Sequence, residues 1–316
     1  MMISAFLRTG NARREMSLKA SKQSGVALLQ VLLISLVISL LAIRFTQTAR
    51  DQIAIAEQFN GRVQAQFTAY SAKNAAIFAV LSDRITPVTV TGQGSDLVLQ
   101  IKNDMGRHGD PVTFENGVTI ALQDLNGLLP QRFPHHPLWP KVLVGLGLTE
   151  QQAKQALGVW SDFQDGDIDA WIPGDKEPLT LPAGEAYLNG FAQTDLPLRW
   201  VFADQPDLAK TLLSISDINT PYALNMGNAP RPLLQALFES DTSATMISDR
   251  ALSEVFVKQL LPMAMVDEFN PPTSVRNSSH LQIKTSVIQE QASWTETATL
   301  YLTPFLDPPY RILVAK

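Results

Sequence analysis

GVALLQVLLISLVISLLAI, Gly25 to Ile43, is the stretch on which the fold of this 316-residue chain turns. Val26–Ile43 carries no charge over 18 residues, and its only polar members are Gln30, Ser35 and Ser39. A helix of that length crosses the hydrocarbon core of a bilayer. Upstream stand Arg8, Arg13, Arg14, Lys19 and Lys22 against the single acid Glu15. Positive charge ahead of a span predicts a cytoplasmic N-terminus, with everything after Arg50 on the far side of the membrane.

A secretory signal would place small residues after the apolar run. The positions on offer are poor, since Leu40 precedes Ala42 and Gln47 precedes Ala49 at the critical spacing. Gly25 lies instead at the boundary between the basic leader and Val26-Ala27-Leu28-Leu29. That junction resembles the leader of type IV pilins and type II secretion pseudopilins. The resemblance implies that prepilin peptidase cuts after Gly25 and methylates the amine of Val26. It also implies a cytoplasmic leader at 1–25 and a membrane helix at 26–45. The fifth mature residue is Gln30, where such subunits usually have Glu. A carboxylate inside the bilayer needs a partner, and in the family that partner is the neighbouring subunit's free amine. A subunit at the tip has no such neighbour above it and can dispense with the acid.

Past Arg44 the sequence turns polar, but no Gly or Pro interrupts it before Gly61. Ile53, Ala56, Phe59, Val63, Phe67, Tyr70, Ile77 and Leu81 recur at steps of three and four, which predicts one helix from Val26 to about Leu81 with these residues facing a sheet. Thr86-Pro87 ends it. Alternation through Val88, Val90, Leu97, Leu99, Ile101, Val112, Phe114, Val118, Ile120 and Leu122 predicts strands, with the best hairpin signal at Asn116-Gly117. Residues 124–240 read as mostly helical: Thr149 caps a helix to about Phe163, others lie near Asp204–Ser214 and Pro230–Ser240, and Asp249–Leu261 follows a cap at Ser248. Strands return at His280–Val287, Trp294–Leu302 and Tyr310–Val314. No repeat of fixed period is present.

This order is similar to that of the minor pseudopilin K family of type II secretion. Leu122-Gln123-Asp124-Leu125-Asn126-Gly127 resembles that family's acidic stretch after a strand. Ser216-Asp217-Ile218-Asn219-Thr220 and Ala223-Leu224-Asn225-Met226-Gly227-Asn228-Ala229-Pro230 resemble its later polar segment, and Ser278-Ser279-His280-Leu281 fits the approach to its late strand. The resemblance implies an α+β fold: a pilin-like long N-terminal helix packed on an antiparallel sheet, with a large, mostly α-helical inserted domain. It implies pseudopilin helix and first strands at 46–123, the insertion at 124–270 and completing strands at 271–316. The implied function is that of a non-catalytic minor pseudopilin at the pseudopilus tip, helping to nucleate assembly for protein export. Its implied place is the Gram-negative inner membrane, with the bulk periplasmic. Implied partners are the I- and J-type minor pseudopilins, the major pseudopilin, prepilin peptidase and the inner-membrane secretion platform.

Trp160-Ser161-Asp162-Phe163-Gln164-Asp165-Gly166-Asp167-Ile168-Asp169 packs four carboxylates into eight residues. Carboxylates alternating around a glycine suit Ca²⁺, and the same composition also makes a solvated turn. The resemblance decides for Ca²⁺. The family's run maps onto Trp160, Asp162, Asp165, Asp167, Gly184 and Glu185, with Tyr187 one residue early. It implies Asp165, Asp167 and Glu185 as ligands, and Asp162 and Asp169 as weaker ones.

Charge and composition exclude other classes. Residues 1–50 carry a net of +6, which leaves −11 on the remaining 266. An acidic body is unsuited to nucleic acid. No cysteine is present, so disulfides and thiolate chemistry are excluded. No nucleophile elbow, zincin motif, phosphate loop or dinucleotide fingerprint occurs. His135-His136, between Pro134 and Pro137, reads as a surface pair, and the five tryptophans read as core. The alternative is a membrane-anchored periplasmic hydrolase working through the Asp162–Asp169 cluster.

Overall fold

The computed structural model describes residues 23–85, 105–114, 117–167, 169–172, 190, 192–249, 277–289, 292–303 and 305–315. The leader, the strands expected at 86–104, Glu185, and the helix expected beyond Asp249 lie outside them. The chain divides into two units, residues 1–60 and 61–316. Helix α1, Gln23–Ile85, passes through Gly61 without a break.

In the first unit every described side chain from Val26 to Asn60 is exposed. The apolar run is therefore an exposed helix surface.

In the second unit α1 lies on a sheet, but not by the expected face. Its buried residues are Ala65, Ala69, Ala72, Ala76 and Ala79 with Ile77, Val80 and Leu81. Of the stripe read from the sequence, only Ile77 and Leu81 are buried; Phe67 is 70% and Tyr70 55% exposed, and Ile53, Ala56 and Phe59 are exposed. Alanine has no side chain beyond Cβ, so a face of alanines brings the helix close to the strands and costs nothing in helix propensity. The aromatic side chains Phe67, Tyr70 and Phe78 are turned away. Lys73 on α1 pairs with Glu296 of the sheet at 2.9 Å.

Among the described residues the sheet is antiparallel with the order β1-β2-β5-β6-β7. Its strands are β1 (Val112–Thr113), β2 (Val118–Asp124), β5 (His280–Gln289), β6 (Ala292–Leu302) and β7 (Tyr310–Ala315). Alternation sends Ile120, Leu122, Leu281, Ile283, Val287, Leu300 and Leu302 to one face, where they meet the alanines. Gly117, at φ +71°, takes the left-handed conformation that closes the expected β1–β2 hairpin.

The helical insertion leaves at the end of β2 and returns at β5, its neighbour in the sheet. It contains β3 (Leu129–Pro130), α2 (Trp139–Gly145), α3 (Glu150–Asp162), α4 (Leu196–Val201), α5 (Pro206–Ser214), β4 (Ser216–Asp217), α6 (Arg231–Leu237) and α7 (Ser240–Ser248). Strands β3 and β4 pair in parallel. Trp139, Trp160, Leu198, Leu212, Leu233 and Met246 belong to a second core, separate from that of the sheet. Thr149 and Gln152 form a reciprocal capping box at the start of α3. Ser248 is the last residue of α7, a helix the sequence reading did not expect, and the helix expected to follow it lies outside the described residues.

Candidate functional site

Gly25 falls within α1, and Val26 and Gln30 are exposed on it. The hydroxyls of Ser35, Ser39 and Thr46 donate to the carbonyls four residues earlier, each at 2.8 Å. Their polar groups are thus satisfied within the helix, as an apolar medium requires. The helix is long and apolar enough to cross a membrane and fits a single-pass anchor.

Three of the polar stretches quoted from the sequence meet where the insertion joins the sheet. Gln123 Nε2 donates to the carbonyl of Asn228 at 2.9 Å, and Asn225 N–H donates to the carbonyl of Asn126. Asn228 Nδ2 donates to Asn126 Oδ1 at 3.3 Å and to Asn277 Oδ1 at 2.8 Å. Asp124 accepts from the N–H and hydroxyl of Ser278 and from the N–H of Asn126. Gly127 permits this: a Cβ there would lie 2.1 Å from the carbonyl oxygen of Asn228. Burial raises the pKa of Asp124, and the bonds from Ser278 and Asn126, with Arg107, act against that rise. The chemistry is that of a clasp.

The acidic turn follows α3. Asp162 is buried at the helix end, and its Oδ1 accepts the N–H of Trp171 at 2.7 Å. Asp167 Oδ1 accepts the N–H of Asp169 at 2.9 Å. Asp165 Oδ1 is buried and has no hydrogen-bond partner among the described residues. Burial, then the charges of Asp167 and Asp162, raise the pKa of Asp165; His135 opposes them. An ion placed there would relieve the repulsion and satisfy that oxygen, so these donors suit Ca²⁺ in kind. Among the described residues no three such groups gather closely enough to hold an ion by themselves.

His135-His136 is not a surface pair. His136 is fully buried, its Nδ1 accepting the N–H of Leu138 at 3.4 Å and its ring edge-on to Tyr222. His135 is exposed and stacks on Trp171 with centroids 4.1 Å apart. Trp139 and Trp160 are core as expected, but Trp171 is 53% exposed. Beside this stack α2, α3 and Leu237 enclose an open groove of about 850 Å³. Its lining comes from positions 134 to 237, too dispersed to form any local motif.

A long helix laid on an antiparallel sheet, with a helical insertion between adjacent strands, is a pilin-like α+β architecture. A chain of the crystal structure of the GspK-GspI-GspJ complex from the enterotoxigenic Escherichia coli type 2 secretion system shares it. The TM-score is 0.53 at 14% identity, over 84% of this chain and 98% of that one. The GspK-like pseudopilin fold expected from the sequence is the fold this chain has. No family model matches the chain, and no curated protein matches it.

Proposed function

We propose that this chain is a minor pseudopilin of a type II secretion system, a non-catalytic subunit at the pseudopilus tip that helps nucleate assembly. The observation that carries the proposal is a fold shared with nearly the whole of a chain from the GspK-GspI-GspJ complex. Two features of the sequence support it: the Gly25-Val26 junction, and Gln30 where lattice subunits have Glu. The insertion, with its own core, is bulk that a tip position accommodates and a helical lattice does not. The partners are then I- and J-type minor pseudopilins and the major pseudopilin. Prepilin peptidase and the inner-membrane platform act on the chain before and during assembly, with its bulk in the periplasm. The acidic turn is proposed to hold Ca²⁺ through Asp165, Asp167 and Glu185, with Asp162 and Asp169 contributing; the ion would neutralise their mutual repulsion and brace the turn.

The test is the intact mass and N-terminal sequence of the chain recovered from membranes. An N-methylated Val26 is the expected result, and Gly25→Ala should leave an uncut precursor and block secretion. A chain that still begins at Met1, or is cut after Ala42 or Ala49, removes the filament reading.

A further inference from the structure

The sheet has a second face, turned away from the alanines of α1, and the insertion meets it across a polar cavity. Gln282 on β5 and Thr297 and Thr299 on β6 alternate with the core residues Leu281, Ile283, Ala298 and Leu300, and Gln282 is the direct cross-strand partner of Thr299. The insertion contributes Gln131, Ser216, Asp217 and Asn219 from around β3 and β4, and Arg199 from α4. The space lined by both measures about 480 Å³, the size of a small-molecule site.

The insertion's polar groups are fixed by bonds of their own. Gln131 Nε2 donates to Ser216 Oγ at 3.0 Å, and Asp217 Oδ1 accepts the N–H of Asn219 at 2.7 Å. Arg199 Nε donates to Asp195 Oδ2 at 2.9 Å. The sheet's polar groups are different. Among the described residues, no hydrogen bond reaches the side chains of Gln282, Thr297 or Thr299, although Thr299 is only 4% exposed. A hydroxyl so deeply buried is normally hydrogen-bonded, so this wall is short of the partner it is shaped for.

Those three side chains choose the ligand. Each is neutral, and a hydroxyl or a carboxamide both donates and accepts. Arg199, whose guanidinium would draw an anion, is already held by Asp195. Leu213 and Val314 set apolar contacts among the polar ones. A ring rich in hydroxyls, with C–H faces between them, matches both kinds of wall.

We propose that this cavity binds a neutral sugar unit, its hydroxyls bonded to Gln282, Thr297 and Thr299 and its C–H face on Leu213 and Val314. The proposal does not depend on the filament reading, since every residue it uses belongs to the sheet or the insertion.

The test is calorimetric titration of the full chain, in a detergent without sugar headgroups, with glucose, N-acetylglucosamine and the disaccharide of the latter. Sorbitol, an open-chain polyol, is the control. The expected result is saturable binding of at least one sugar with a Kd below about 10 mM. Thr299→Val, which exchanges the hydroxyl for a methyl, and Gln282→Met should each weaken it about fivefold or more. Neither change removes a hydrogen bond within the described protein, and circular dichroism checks that the fold is kept. Tighter binding of the disaccharide than of its monomer would identify the end of a glycan chain, and equal binding a free sugar; either supports the proposal. No saturation, as from a cavity that holds water alone, an unchanged Kd in either variant, or equal binding of sorbitol overturns it.

Discussion

The carboxylate of Asp124 closes on Ser278, 154 residues further along the chain, accepting its backbone N–H at 3.0 Å and its hydroxyl as well. Asp124 ends β2 and Ser278 stands two residues before β5, so one side chain fastens the outgoing and returning strands of the insertion. Hydrogen bonds to a charged group contribute about 1.5–3 kcal/mol, and leaving partners unsatisfied adds to the loss. Asp124→Ala should therefore cost about 2–4 kcal/mol in urea unfolding, and Ser278→Ala about 1 kcal/mol. The double variant should show a clear coupling energy. Purely additive losses would mean that the two residues act separately.

The same residue sets a pH dependence. Burial raises its pKa, so the folded chain binds the proton more tightly than the unfolded chain does. The stability from this group is then complete below the ordinary aspartate value and is lost as pH rises through the higher, folded value. Melting curves of wild type and Asp124→Asn between about pH 4 and 7 should differ by this slope, with the variant flatter. Parallel curves would show that Asp124 is not perturbed in solution.

The alanine face of α1 makes a prediction opposite to intuition about hydrophobic stripes. Ala69→Leu enlarges a residue with no exposed surface and should cost about 1–3 kcal/mol by overpacking. Phe67→Ala removes a ring that is mostly in solvent and should change stability by no more than about 0.5 kcal/mol. Thermal unfolding in detergent measures both. A reversed order would mean that the aromatic face is the one packed on the sheet.

For the acidic turn the effect of one substitution should change sign with the ion. In chelator, Asp165→Asn removes a charge repelled by Asp162 and Asp167 and should raise the melting temperature slightly. With Ca²⁺ added, the wild type should gain stability, and the variant, or its double with Asp167→Asn, should not. Equal wild-type melting with and without Ca²⁺ would leave the turn without an ion.

The elements with regular periodicity were legible in the sequence. The strands of the second half emerged close to their expected limits because alternating residues such as Leu281, Ile283 and Val287 face one way. The capping box at Thr149 marked its helix for the same local reason. The packing face of α1 was not legible, because a hydrophobicity pattern weights Phe67 and Tyr70 above Ala65 and Ala69, while close approach to a sheet selects for small volume. The junction was visible only as three separate polar stretches. Nothing in one sequence states that Asn126, Asn228 and Asn277 share hydrogen bonds. The groove was hidden for a similar reason: Trp171 looks like any core tryptophan until the fold leaves it half bare.

Since β2 and β5 are paired neighbours, the insertion is topologically an overgrown hairpin loop. Closing a loop costs only logarithmically more as it lengthens, so the sheet is nearly indifferent to how much chain is strung between Asp124 and Ser278. The pilin-like head is in this sense a chassis, and the helical block its exchangeable cargo bay. Replacing that block with a short turn should leave the sheet and its alanine-faced helix intact, and a different folded module could be mounted at the same two points.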